Sequence, residues 1–283
     1  MDRLTGEILD RRLLEFLAED MAGVDVTTMT TIPPDARARG DLIAKSPCIV
    51  SGLGVARRVF ELVDPDVLWN ASSTDAAAVS AGSHLATIEG RARNLLGAER
   101  VALNLLQRMS GIATATRRYV DAVAGTPCQI LDTRKTAPGL RPFDRKAVRD
   151  GGGTNHRYDL SAMVLIKDNH LRLSSGVAQA VAAAREGLPG IGVEVEVESE
   201  ADLREAVRAG ADWILIDNQT PETVAAWCAI AREHRPSPKI EASGGMTLDR
   251  VRAYAEAGVD AVSVGALTHS VTAADISLEL EPA

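Results

Sequence analysis

The sequence predicts an α/β protein, with a mixed N-terminal unit followed by a parallel sheet, open or closed into a barrel. Three observations predict it. From Cys128 onward, short apolar runs alternate with helical stretches, the rhythm of parallel strands joined through helices. The phrase Ala209-Gly210-Ala211-Asp212 returns as Ala257-Gly258-Val259-Asp260, which marks two equivalent helix-to-strand turns with glycine as the helix stop. Aromatics make up 3% of a chain that is 46% hydrophobic, so the core is built from Ala, Val, Leu and Ile, which suit buried strands.

Along the chain, Leu4, Ile8, Leu14 and Leu17 recur at helical spacing. Asp25-Val26-Thr27-Thr28 and Ile32-Pro33-Pro34 break that helix and start a loop. Residues 40–50 read as a strand, 55–63 as a helix, 82–90 as a short strand and 99–123 as a long helical stretch. The later strands are 129–131, 163–166, 193–195, 213–216, 239–240 and 261–264. Helices at 177–185, 200–209, 223–233 and 248–257 lie between them.

Bulk properties exclude several classes. No stretch approaches the roughly 18 apolar residues of a membrane span, and the acidic N-terminus is unlike a secretory signal, so a cytoplasmic protein is expected. Cys48, Cys128 and Cys228 show neither metal spacing nor a disulfide framework and read as buried thiols. A net charge of −8 argues against nucleic acid as a partner. Residues 132–170 nevertheless carry a net +3, from Arg134, Lys135, Arg141, Arg145, Lys146, Arg149, Arg157 and Lys167 against five acids. A basic segment in an acidic chain suits a small anion, or else a solvated basic face.

The polar residues at the strand ends carry the chemistry. In a barrel of this kind, sites form at the C-terminal ends of strands. Here the runs end in Asp132-Thr133-Arg134-Lys135, Lys167-Asp168-Asn169-His170, Asp217-Asn218, Glu241-Ala242-Ser243-Gly244-Gly245 and Gly265-Ala266. In Val193-Glu194-Val195-Glu196-Val197-Glu198, strict alternation puts the three carboxylates on one face, either into the barrel or toward solvent on an edge strand. Buried there, they need cations or a metal. The two glycine turns on late strands match the usual phosphate position of such barrels, although a plain tight turn explains either one alone.

These motifs, together with Ala98-Glu99-Arg100-Val101-Ala102-Leu103-Asn104, Ser110-Gly111-Ile112-Ala113-Thr114, Gly151-Gly152-Gly153, Asn155-His156-Arg157 and Ser263-Val264-Gly265-Ala266-Leu267-Thr268-His269-Ser270, resemble those of quinolinate phosphoribosyltransferases over nearly the whole chain. The resemblance implies an N-terminal α/β sandwich domain, residues 1–112 completed by 270–283, and an incomplete α/β barrel, residues 113–269. It implies a homodimer in which Arg100 enters the neighbouring subunit's site. The substrates would be quinolinate and phosphoribosyl pyrophosphate, joined with loss of CO2. Arg134, His156, Arg157 and Lys167 would hold quinolinate, with Arg100 from the partner subunit, Thr133 would bind substrate, and Lys135 and Lys167 would reach the phosphates. Glu196 and Asp217 would bind Mg²⁺, directly or through water, and the ribose. The resemblance implies Lys135, Lys167, Glu196 and Asp217 as the catalytic set. Ser243, Gly244, Gly245, Gly265 and Ala266 would take the 5′-phosphate.

Asp132 and Asp168 could orient neighbouring cations, and Glu194 and Glu198 could belong to a buried charge network. His170 and His269 could serve the site or only the fold, and His84 and His234 fall outside the motifs. Two departures from the family stand out, the Ala22-Gly23-Val24-Asp25 turn and Lys146 in place of a common Tyr, which could alter substrate access. The rival readings are a Schiff-base enzyme using Lys167, a relative acting on nicotinate or another ring acid, and a non-catalytic anion-binding paralogue.

Overall fold

The computed structural model describes residues 6–21, 23–234 and 237–283. Leu4 of the expected first helix and Ala22 of the 22–25 turn lie outside the described residues. In chain order the elements are α1 (Gly6–Asp20), α2 (Val26–Thr31), β1 (Arg37–Ala44), β2 (Cys48–Ile49), α3 (Leu53–Val63), β3 (Leu68–Ala71), β4 (Ala78–Val79), β5 (His84–Arg91) and α4 (Ala92–Ala122). There follow β6 (Gln129–Leu131), α5 (Arg141–Asp150), β7 (Val164–Ile166), α6 (Asp168–Leu173), α7 (Val177–Gly187), β8 (Val193–Val197) and α8 (Glu200–Arg208). The chain ends through β9 (Trp213–Asp217), α9 (Pro221–Arg232), β10 (Lys239–Ser243), α10 (Val251–Glu256), β11 (Ala261–Ser263), α11 (Ala266–His269) and β12 (Ile276–Pro282).

The chain forms two compact units. One comprises the residues up to Arg117 with 137–152 and 270–283, and the other comprises 118–136 and 153–269. Segment 137–152, which carries α5, therefore groups with the N-terminal residues, not with the strands on either side of it in sequence.

In the first unit, an antiparallel sheet runs in the order β12-β1-β5-β3, with β1 paired on both sides. Its alternating residues Ala38, Leu42 and Ala44 are buried, as period-two patterning requires. Where the sequence suggested a loop after Asp25, the chain instead makes the short helix α2. Asp25 caps it by accepting the Thr28 N–H at 2.9 Å, and Ile32-Pro33-Pro34 ends it. The returning C-terminal segment lies against α4. Gly111 permits this approach, because a methyl group there would meet the Thr272 carbonyl oxygen at 2.1 Å. Gln107 holds the same segment through the Ile276 carbonyl, at 2.6 Å, and the Ala274 N–H, at 2.9 Å.

The second unit is a six-stranded, all-parallel sheet in the order β6-β11-β10-β9-β8-β7. The first strand thus sits beside the last, as in a barrel, but β6 and β7 do not pair. At Leu131 the free side of β6 meets Thr154 through an isolated bridge. The barrel is therefore incomplete. Helices cover the strands through residues such as Val181, Leu203, Ala206, Val224 and Tyr254, all buried. The two repeated turns hold Gly210 at φ +79° and Gly258 at φ +97°, the left-handed conformation that stops a helix without strain only at glycine.

Candidate active site

The C-terminal strand ends of the second unit surround a cavity of about 330 Å³. Its wall brings together Thr133, Arg134, Lys135, His156, Arg157, Lys167 and Ser243, all expected from sequence. Leu165 and Leu215 supply apolar surface. Arg157 has its pKa lowered, first by burial and then by the neighbouring Arg134, while Glu194 opposes the shift. Two guanidiniums that raise one another's cost of charge gain most from an anion bound between them.

Fixed acceptors position these cations. Asp132, fully buried at the end of β6, accepts the His156 N–H at 2.8 Å and the Asn155 side-chain amide at 2.6 Å. The Arg157 guanidinium donates to the Met163 carbonyl at 3.1 Å. Lys167, just beyond β7, is ion-paired with Glu196 of β8. The Lys167 N–H donates to His170 Nδ1 at 2.9 Å, so His170 caps α6, and Asp168 pairs with Arg172 on the same helix at 3.4 Å.

A buried acid-imidazole group lies beneath the cations. His156 Nε2 is 3.0 Å from its hydrogen-bond partner Glu194 Oε2 and 3.3 Å from Glu241 Oε2. Glu194 Oε1 and Glu241 Oε2 accept no hydrogen bond, and the other Glu241 oxygen accepts the Ser263 hydroxyl. Burial disfavours a charged His156, but Glu194 and Glu241 overcome this and push its pKa up to about 10. Glu194 is itself raised, by burial first, with His156 opposing and the Glu241 charge adding. His156 Nδ1 accepts the Arg157 N–H at 2.7 Å. In the neutral ring the proton is therefore on Nε2, directed at Glu194. The three side chains have metal-ligand spacing, but a metal at Nε2 would require a proton on Nδ1, which is the acceptor here.

The residues expected at the phosphate and metal lie at adjoining strand ends. Asp217 ends β9, beside β8 and its Glu196, and accepts the Asn218 amide at 2.6 Å. The Asn218 N–H reaches the Ser243 carbonyl at 3.0 Å, and Gly244 packs on Asn218. Gly265 lies against Lys135 and His269, and Ala266 opens α11. The Thr268 hydroxyl donates to the Lys135 carbonyl at 3.0 Å.

Other expectations are placed elsewhere. Glu198 is exposed just past the end of β8, so only Glu194 and Glu196 of the three carboxylates are buried. Lys146 pairs with Asp75 at 2.7 Å and Asp150 at 2.6 Å within the first unit and is absent from the cavity wall. Arg100 is exposed on α4, also in the first unit. His84 is bound to Asp41 at 2.9 Å in the antiparallel sheet. Sequence reasoning gave no role to Glu241 or Ser263, both of which line the cavity. The available signal was an acid within the apolar run Lys239-Ile240-Glu241-Ala242, a costly placement without a purpose.

Comparison with known proteins follows the same outline. Residues 112–279 match the family described as quinolinate phosphoribosyl transferase, C-terminal domain, and residues 25–110 match its N-terminal domain. The chain is 42% identical over 270 residues to the carboxylating nicotinate-nucleotide pyrophosphorylase of Mycobacterium leprae, covering 93% of this chain and 94% of that protein. It is 40% identical over 273 residues to a probable carboxylating nicotinate-nucleotide pyrophosphorylase of Bacillus subtilis, covering 96% and 93%. The crystal structure of NadC from Streptococcus pyogenes superposes with a TM-score of 0.94 at 38% identity, covering 99% of each chain. No helix among the described residues is long and apolar enough to cross a membrane. The chain belongs to the quinolinate phosphoribosyltransferase family.

Proposed function

We propose that the protein transfers the phosphoribosyl group of phosphoribosyl pyrophosphate to quinolinate with decarboxylation, giving nicotinate mononucleotide, pyrophosphate and CO2 in de novo NAD biosynthesis. The observation that carries this reading is the clustering of Arg134, Arg157, His156 and Lys167 around one cavity with an apolar wall. A flat ring bearing two carboxylates matches that arrangement.

The pyridine nitrogen needs no deprotonation to attack the anomeric carbon, so the protein's work is positioning and electrostatics. Arg134 and Arg157, with Thr133, His156 and Lys167, hold the two carboxylates. Lys135 and Lys167 serve the phosphates, and backbone N–H groups of Ser243, Gly244, Gly245, Gly265 and Ala266 receive the 5′-phosphate. The Glu196 and Asp217 carboxylates stabilise the positive ribose ring as pyrophosphate departs. Their oxygens, one set on each of two adjacent strands, fit Mg²⁺, which prefers few protein carboxylates and substrate phosphates. Bound there, Mg²⁺ would neutralise pyrophosphate charge. Arg100 completes the site of a second subunit in a homodimer, and the enzyme works in the cytoplasm. The ion pair of Lys167 with Glu196 suits a cation holding anions better than a neutral Schiff-base amine.

The test supplies quinolinate or nicotinate with phosphoribosyl pyrophosphate and Mg²⁺. The expected outcome is nicotinate mononucleotide and CO2 from quinolinate alone. Turnover of nicotinate instead, or none of quinolinate by folded, metal-supplied protein, overturns the reading. Arg134→Ala is expected to raise KM for quinolinate at least about tenfold, the worth of one charge-assisted contact.

A further inference from the structure

Asp217 and Ser243 end neighbouring strands and stand opposite one another in register. The transfer proposed above, on which this inference rests, asks different things of them. Asp217 serves the ribose and the metal, and the Ser243-Gly244-Gly245 turn takes the 5′-phosphate. One substrate spans both, so the separation of a carboxylate on β9 from a turn after β10 has to be fixed.

Strand pairing does not fix it, because the ladder stops at the Asp217–Ser243 pair. Asn218 ties the two chains beyond that point in three ways. Its backbone N–H donates to the Ser243 carbonyl at 3.0 Å. Its side-chain amide donates to Asp217 Oδ2 at 2.6 Å, which sets the plane of that carboxylate. Its side-chain oxygen lies 2.2 Å from where a Cβ on Gly244 would stand, so it packs on the turn itself. The backbone of Asn218 is left-handed, at φ +54°. Glycine would adopt that conformation with less strain but would bring no amide. The chain after Asn218 has its own brace, since the Tyr254 hydroxyl donates to the Gln219 carbonyl at 2.8 Å and accepts from Arg250 at 2.7 Å. The path of the turn therefore does not depend on the Asn218 side chain.

We propose that Asn218 is a positioning residue that holds the Asp217 carboxylate and the Ser243-Gly244 turn at one separation, so that phosphoribosyl pyrophosphate meets both at once. It touches no reacting atom. Its amide acts through Asp217, and its oxygen acts through Gly244. The quinolinate cations, on β6, the 155–157 segment and the end of β7, lie outside this linkage.

The test compares wild type, Asn218→Gly and Asn218→Ser. Calorimetry reads the dissociation constants of phosphoribosyl pyrophosphate with Mg²⁺ and, separately, of quinolinate, alongside the unfolding midpoint. In Asn218→Gly, phosphoribosyl pyrophosphate is expected to bind at least about tenfold more weakly, the worth of one hydrogen bond to a charged group. Quinolinate should stay within about twofold of wild type, and KM should split between the two substrates in the same way. Asn218→Ser, with a hydroxyl one bond shorter in place of the amide, should show the same split to a smaller degree, and it decides the matter if the glycine variant fails to fold. Unchanged affinity for phosphoribosyl pyrophosphate, or equal weakening of both ligands, overturns the role of Asn218. Wild-type protein that binds both ligands but yields no CO2 overturns the underlying reaction alone, because the binding comparison still decides what Asn218 does.

Discussion

Gly244 sits at φ +99°, and a methyl group there would lie 2.2 Å from the Asn218 side-chain oxygen. Gly244→Ala is therefore expected to cost about 1–3 kcal/mol in backbone strain alone, read as a lowered unfolding midpoint, and to raise KM for phosphoribosyl pyrophosphate by displacing the turn. The cysteines make a second residue-scale case. Burial raises all three thiols, Cys128 to about 12 and Cys228 to about 11. A thiol reagent at pH 8 is expected to label none of them in the folded protein and all three after denaturation. The His156 group carries a pH signature. Its pKa stands near 10 when folded against 6.5 for the free side chain, so its contribution to stability is whole below pH 6.5 and is lost as pH rises through about 10. The gap in unfolding midpoint between wild type and His156→Asn should therefore narrow across that window. At this scale the sequence was legible where charge is costly. Arg134 and Lys167 announced themselves by ending apolar runs, and Glu196 by strict alternation along its strand. Glu241 stood at such an end as well, but its partners, Ser263 on β11 and His156 in the 155–157 segment, are set only by the fold.

Helix α5 shows what held at the scale of elements. Its 141–150 sequence is so rich in charge that it read only as a basic segment, yet Phe143, Ala147 and Val148 form a buried stripe and Pro142 sits in its first turn. The charge also concealed a buried partner. Asp144 is fully buried, and Arg108 of α4 grips both of its oxygens, at 2.8 and 2.9 Å. Burial raises the Asp144 pKa and Arg108 opposes it. Removing Arg108 takes from the buried Asp144 carboxylate the cation that grips both its oxygens, so Arg108→Ala is expected to cost about 3–5 kcal/mol in denaturant unfolding. The double change to apolar residues should cost less. The parallel strands were easier to read, since buried aliphatic runs between helical stretches leave few alternatives. The ends of β9 and β10 run further than expected, to Asp217 and Ser243, because pairing with the neighbouring strand carries polar residues along. Strand β3, with its residues mostly exposed, had no apolar alternation to reveal it.

At the scale of the whole molecule, the alternation after Cys128 announced a parallel sheet but left open whether it closed. The answer rests on a missing pairing, β6 with β7, which no local pattern encodes. The grouping of 137–152 with the N-terminal residues was likewise hidden, since it depends on contacts far apart in sequence. The pairing of β12 with β1 has a consequence for synthesis. Seven residue pairs join β1 to a strand made much later. The ribosome therefore delivers β1 with one edge bare and holds it so until β12 emerges, more than 230 positions later by the Ile276–Ala44 pairing. Long-range pairing of this kind is slow and leaves an open edge exposed meanwhile. A nascent chain arrested after residue 269 should be markedly more sensitive to protease near β1 than the released protein, and adding a peptide of residues 270–283 should restore protection.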